Sequence, residues 1–178
     1  MVAAVSRLSG QGDSVSTAKL RADSDAEVSA IWDLLDEVKD PEIPVLSLWD
    51  LGVLRNVEKI RDKIIITITP TYSGCPAMET MRNDIQSTLS ESGYSNHEVR
   101  TVLSPAWTTD WMSEQGKQKL EQFGIAPPAH TRAEAQNVCC PRCRSEDTLL
   151  ISEYGSTACK AMYQCSQCKE AFCYFKVI

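Results

Sequence analysis

Histidine is nearly missing from this chain: its 178 residues hold two, His97 and His130. They fall in a predicted loop and a predicted linker, so both are expected at the surface and no thiol–imidazole pair of the protease kind is in sight. Basic charge is also in deficit. Eighteen Lys and Arg stand against 24 Asp and Glu, a net charge of −6, whereas sequence-independent nucleic-acid binding needs a basic surface; no nucleic acid is expected as a partner. No run of 18 apolar residues occurs, so no membrane span is expected. Met1 to Asp13 carries one arginine and no apolar core of signal-peptide length, which predicts a cytoplasmic protein. The glycine patterns of dinucleotide folds, P-loops and serine-hydrolase elbows are absent as well, leaving nucleotide binding and serine-hydrolase chemistry without support.

Cysteine, by contrast, is plentiful, with eight residues. Cys140 and Cys143 form one C-x2-C pair, Cys165 and Cys168 another, and 21 residues separate them. Without an export signal this spacing points to metal rather than to disulfides. Four thiolates with no water position describe a closed, structural Zn²⁺ site, although the spacing alone equally fits an Fe(Cys)4 electron-transfer centre. A tail of this length is too short to fold on a hydrophobic core alone, and metal supplies what is missing. Cys139 adjoins Cys140 and could replace it by a one-residue slip; Cys159 and Cys173 fit no pair and read as small buried residues.

Hydrophobic periodicity divides the chain. Residues 1–23 read as a disordered leader. Ser24-Asp25-Ala26-Glu27 has the form of a capping box, and Ile31, Leu34, Leu35 and Val38 follow at helical spacing. Pro41 and Pro44 then hold an extended loop. Val53–Ile60 and Lys63–Thr69 predict an antiparallel hairpin, its β-branched second strand in mid-sheet. Pro76 opens a helix whose buried face is Met78, Met81, Ile85 and Leu89, with Gly93 at its end. Val99–Leu103 predicts a third strand, and Ser113–Phe123 a short helix stopped by Gly124. The fold class is therefore α+β: an α-β-β-α-β domain over 24–126, a linker over 127–136, and a β zinc ribbon over 137–178.

Cys75 is the candidate working thiol. It lies between the buried strand and the helix opened by Pro76, where a helix N-terminus favours thiolate, or where a small residue merely fits. Asp40 and Glu42 lie in one acidic loop and Asp50 in a tight turn with Gly52. Trp107, Trp111 and Met112 form an aromatic patch suited to packing or to a protein interface.

Asp-Pro-Glu-Ile-Pro (40–44), Asp-Leu-Gly (50–52), Thr-Pro-Thr-Tyr-Ser-Gly-Cys-Pro (69–76) and Ser-Pro-Ala-Trp-Thr-Thr-Asp-Trp-Met (104–112) resemble the MIP18 family, also called DUF59, of iron–sulfur assembly proteins. With the four-cysteine tail and Tyr-Gly-Ser-Thr-Ala-Cys-Lys-Ala (154–161), the resemblance narrows to members that accompany the phenylacetyl-CoA epoxidase (ring 1,2-oxygenase) system of aerobic bacteria. It implies an accessory or maturation factor of phenylacetate catabolism rather than an enzyme. Its partners would be the epoxidase subunits, above all the iron–sulfur reductase, together with iron–sulfur assembly machinery. Cys75 matches the family's Cys-Pro position and would hold a cluster transiently, with Asp40 and Glu42 in support. A non-catalytic assembly subunit and an Fe(Cys)4 electron carrier are the alternatives, and a homodimer stays open. One departure concerns Arg144 and Lys169, which follow the second cysteine of each pair where zinc knuckles often carry glycine.

Overall fold

The computed structural model describes Arg21, residues 24–129 and residues 138–178; His130, the rest of the leader and most of the linker lie outside the described residues. Helix α1 spans Ala26–Leu35. Its N-cap is Asp25, whose Oδ1 accepts the Val28 N–H at 2.9 Å. Ser24 does not cap it, because its hydroxyl is turned back to donate to the Arg21 carbonyl at 2.6 Å. Val28, Ile31, Trp32 and Leu35 form the buried stripe, each fully buried apolar side chain contributing about 1.5–3 kcal/mol.

Strands β1 (Leu54–Ile60) and β2 (Lys63–Ile68) pair antiparallel across Arg61-Asp62. Helix α2 (Ala77–Glu91) leads into β3 (His97–Thr101), which pairs parallel to β2, so β2 is the central strand. Ile64, Ile66 and Ile68 share one side of β2 and are buried; Met81, Ile85 and Leu89 of α2 come down on the same core. The third strand begins two residues earlier than its apolar run predicts, with His97 inside it. Parallel pairing from Ile64↔His97 onward fixes that register, which local sequence does not encode.

A 3₁₀ turn (Thr109–Trp111) precedes helix α3 (Glu114–Phe123), capped by Ser113, whose Oγ accepts the Gly116 N–H at 2.8 Å, and ended by Gly124 at φ 89°. Strand β4 (Ile125–Ala126) follows at once and pairs parallel to β7 (Ala171–Phe175). With β5 (Thr148–Ser152) and β6 (Lys160–Cys165) this makes a second sheet in the order β4-β7-β6-β5. The ribbon sheet thus takes in Ile125 and Ala126, ahead of the expected linker.

The two sheets share one core. Phe175, Cys159 and Ile125 pack in the same apolar cluster as Leu51, Trp107 and Met112. Trp107 is the hinge of this contact: its ring centroid lies 6.0 Å from that of Phe175 and its Nε1–H donates to the Leu51 carbonyl at 3.1 Å. Of the aromatic patch, Trp107 therefore packs between the two units, while Trp111 lies under the Arg55 guanidinium, its ring centroid 3.5 Å away. A smaller cluster around Val138, Cys140, Cys165 and Phe172 lies under the four-cysteine centre.

Candidate functional site

The metal centre is built from two tight turns. Cys140 and Cys143 lie on the turn before β5; Cys165 ends β6 and Cys168 lies on the turn to β7. In each turn the residue after the second cysteine has its N–H on the carbonyl of the first, Arg144 on Cys140 at 2.8 Å and Lys169 on Cys165 at 3.0 Å. Closing that turn requires left-handed backbone, and Arg144 and Lys169 adopt it at φ 61° and 64°. The knuckle forms without glycine, at roughly 1 kcal/mol each.

All four sulfurs fall within 4.8 Å of one another. Cys140 and Cys168 are 3.7 Å apart and Cys143 and Cys165 3.5 Å. Metal–sulfur bonds of about 2.3 Å in a tetrahedron give edges of about 3.8 Å, so the donor set fits a tetrahedral ion of zinc's size. The group includes the sulfur of Cys140, whereas Cys139 is exposed and outside it. The Cys168 N–H, aided by that of Gln167, brings the Cys165 thiol down to about 6, whereas at Cys143 the lowering by the Ser145 backbone is outweighed by Cys165 and burial, which push that thiol up to about 12; all four must ionise to bind metal.

The second site lies where the two units meet. Cys75 is half-buried, one residue ahead of the Pro76 N-cap of α2. Around it, one small cavity is lined by Asp40, Glu42 and Tyr72 from the first unit and by Thr157, Cys159 and Lys160 from the ribbon. Its free volume is about 20 Å³, room for one water and no more.

Each wall is held by local structure. Asp40 is buried, and its Oδ1 accepts the N–H groups of Glu42 at 2.9 Å and Ile43 at 2.6 Å. That closes the loop between Pro41 and Pro44 and presents Glu42. Burial pushes the Asp40 carboxyl up, against those two N–H groups and Lys160, which pull it down. Lys160, although 4% exposed, brings its Nζ within 3.8 Å of Glu42 Oε2. The Tyr72 hydroxyl is pushed up by burial and then by its neighbour Cys75. The fold thus brings Cys75, Asp40 and Glu42 to one cavity, together with a cysteine and a lysine from the ribbon.

Asp50 belongs to neither site. Its Oδ2 accepts from Lys119 Nζ at 2.6 Å and its Oδ1 from the Ser113 hydroxyl at 2.7 Å, so it ties α3 to the first unit. Cys159 is the participant that sequence reasoning set aside. Its signal was the segment 154–161, which carried part of the family resemblance without a ligand role.

Comparison with known proteins agrees with both parts. Residues 28–101 match the family described as iron–sulfur cluster assembly protein, and residues 125–176 match the PaaD zinc beta ribbon domain. A protein of Escherichia coli (strain K12), provisionally named as one of the subunits of 1,2-phenylacetyl-CoA epoxidase, is 48% identical over 155 residues, covering 85% of this chain and 94% of that one. The chain belongs to the MIP18 (DUF59) family, in the branch that carries a PaaD zinc ribbon. Another member, the Fe-S protein maturation auxiliary factor YitW of Bacillus subtilis (strain 168), is 33% identical over 47% of this chain and 82% of its own. A crystal structure of a DUF59 domain from Bacillus anthracis superposes with a TM-score of 0.50 at 28% identity, covering 53% of this chain and 92% of that domain. Both of these relatives span little more than the first unit, so the metal-binding ribbon and its half of the cavity are what set this branch apart. No helix among the described residues is long and apolar enough to cross a membrane.

Proposed function

We propose that this protein is an accessory factor of a phenylacetyl-CoA epoxidase system that assembles or delivers the iron–sulfur cluster of the reductase subunit, with Cys75 as the working thiol and Zn²⁺ as a structural clamp at Cys140, Cys143, Cys165 and Cys168. The observation that carries the reading is the half-buried Cys75 at a helix start, facing the Asp40–Glu42 loop. A thiol so placed can bond a thiophilic iron. The free volume of about 20 Å³ leaves room for about one water, so loading an intact cluster would entail parting the loop from the ribbon. The cluster is cargo in this scheme, not a resident cofactor.

The test is anaerobic cluster loading and transfer to the apo-reductase. Cys75→Ala is expected to keep zinc content and melting temperature while losing transfer, and cells carrying it are expected to lose epoxidase activity. Transfer at the wild-type rate by Cys75→Ala would make the thiol architectural, leaving an assembly subunit without cargo chemistry. Stoichiometric iron with visible charge-transfer bands in the four-cysteine site would instead make the ribbon an electron carrier.

A further inference from the structure

Cys159 is a thiol that the ribbon does not use for its own metal. It precedes β6, outside the four-sulfur group, and lines the same small cavity as Cys75. The two thiols come from opposite sides of the seam and face the same small cavity, with Tyr72 also in its lining. The turn holding Cys159 is tightly fixed. The Thr157 hydroxyl is 3.0 Å from its sulfur, the Lys160 N–H meets the Thr157 carbonyl at 3.2 Å, and the Cys159 carbonyl accepts the Lys176 N–H at 2.9 Å. A Cβ on Gly155 would stand 3.1 Å from that of Lys160, so this close turn leaves little room for a side chain there. Lys160 also lines the cavity; burial pushes the Cys159 thiol up, opposed by the Thr157 hydroxyl and the Lys160 ammonium.

We propose that Cys75 and Cys159 form a two-thiol site, shared between the two units, that binds an iron of the cargo through both sulfurs. It rests on the reading of Cys75 given above and adds the second ligand. Each thiol gives its proton to solvent as its sulfur–iron bond forms; no electron moves. The cavity's free volume of about 20 Å³ suits a single ion better than a cluster bound whole. Because one sulfur belongs to the ribbon, separating Glu42 from Lys160 leaves the iron on Cys75 alone, the state from which an acceptor can take it.

The experiment uses the full zinc-loaded chain under anaerobic conditions with ferrous iron as the probe. Iron retention is measured by equilibrium dialysis and the sulfur neighbours of iron by X-ray absorption at the iron edge, with zinc content followed throughout. The wild type is expected to show two sulfur neighbours with zinc retained. Cys75→Ala, Cys159→Ala and Cys159→Ser are each expected to bind iron about tenfold to a hundredfold more weakly, as loss of one arm of a two-point site implies. One sulfur neighbour in the wild type, with only Cys75→Ala impaired, overturns the second ligand and leaves the reading of Cys75 intact. Retention unchanged in Cys75→Ala as well defeats both. Four sulfur neighbours with zinc released would place the iron in the ribbon centre, which also overturns the proposal. If the Cys159 variants do not fold, the wild-type sulfur count still decides.

Discussion

Two aspartates separated by ten positions show how burial alone does not decide a carboxylate's role. Asp50 is sealed in but fully partnered. Although burial raises its carboxyl, the Lys119 ammonium and Ser113 hydroxyl outweigh that and hold it below the usual carboxylate range. Asp50→Ala is expected to cost about 3 kcal/mol in denaturant unfolding, because it strands Lys119 and frees the start of α3. The sign of the pH dependence follows from the lowered value. The Asp50 contribution is present above its unfolded value near 3.9 and is lost as pH falls through the folded one. The stability gap between wild type and Asp50→Asn is therefore expected to close below about pH 4, read from chemical melts across pH. Asp40 runs the other way: its raised carboxyl loses stabilisation as pH rises, and its oxygen works mainly as an acceptor for two N–H groups. Asp40→Asn is expected to be tolerated near neutral pH and Asp40→Ala to cost about 1–3 kcal/mol by leaving those donors unpaired. A tight turn with Gly52 was all that the sequence around Asp50 could show, since Ser113 and Lys119 lie 63 and 69 residues further along.

Elements were legible wherever the chain writes its own instructions locally. Ile31 and Leu35 of the α1 stripe, the hairpin β1–β2 and the Ser113-to-Gly124 limits of α3 follow from spacing, turn and cap residues, whereas Val28 and Trp32 take the other two places in the stripe and Val38 lies beyond the helix. The register of β3 and the existence of β4 do not, because both are set by strands that pair from elsewhere in the chain, Ile64 with His97 and Ile125 with Cys173. The two cysteine turns were legible as ligand pairs, but their backbone strain had to be seen. Lys169→Gly should relieve left-handed strain and raise resistance to thermal loss of metal by up to about 1 kcal/mol, less the extra freedom glycine gives the unfolded chain. Arg144→Gly should gain less, since it also gives up the ion pair with Glu121 at 3.4 Å, an exposed contact of small value. The reverse change at Gly52 is forbidden: at φ 72° a Cβ would lie 2.5 Å from the Trp111 carbonyl oxygen. Gly74, at φ 84° with nothing within 4 Å of a Cβ, faces only backbone strain. Gly52→Ala is accordingly expected to melt well below Gly74→Ala, which should lose about 1–2 kcal/mol.

At the scale of the whole molecule the metal and the thiol are linked through shared packing. Phe175 occupies β7 of the ribbon sheet, yet it is 1% exposed inside the larger core and touches both Trp107 and the lining of the Cys75 cavity. A Pro-rich stretch before a cysteine-rich tail reads as a boundary between independent units, and composition holds no trace of a ring crossing it. If the units were independent, a chelator would unfold the ribbon and leave the helical unit at its original melting temperature. With a common core, removing metal loosens β6 and β7, withdraws Phe175 from Trp107 and exposes the seam. Chelation is therefore expected to abolish ribbon structure and also to lower the melting temperature of the helical unit, followed by far-ultraviolet dichroism at the helix bands. Phe175→Ala should produce the second effect with zinc still bound, at about 3–5 kcal/mol, the usual cost of emptying a buried aromatic site. Two separate transitions, with the helical one unmoved by chelator and by Phe175→Ala, would mean that the seam carries no energy. A thiol pair bridging that seam would then have nothing to hold its two halves in register, so the same melts bear on the site as well as on the fold.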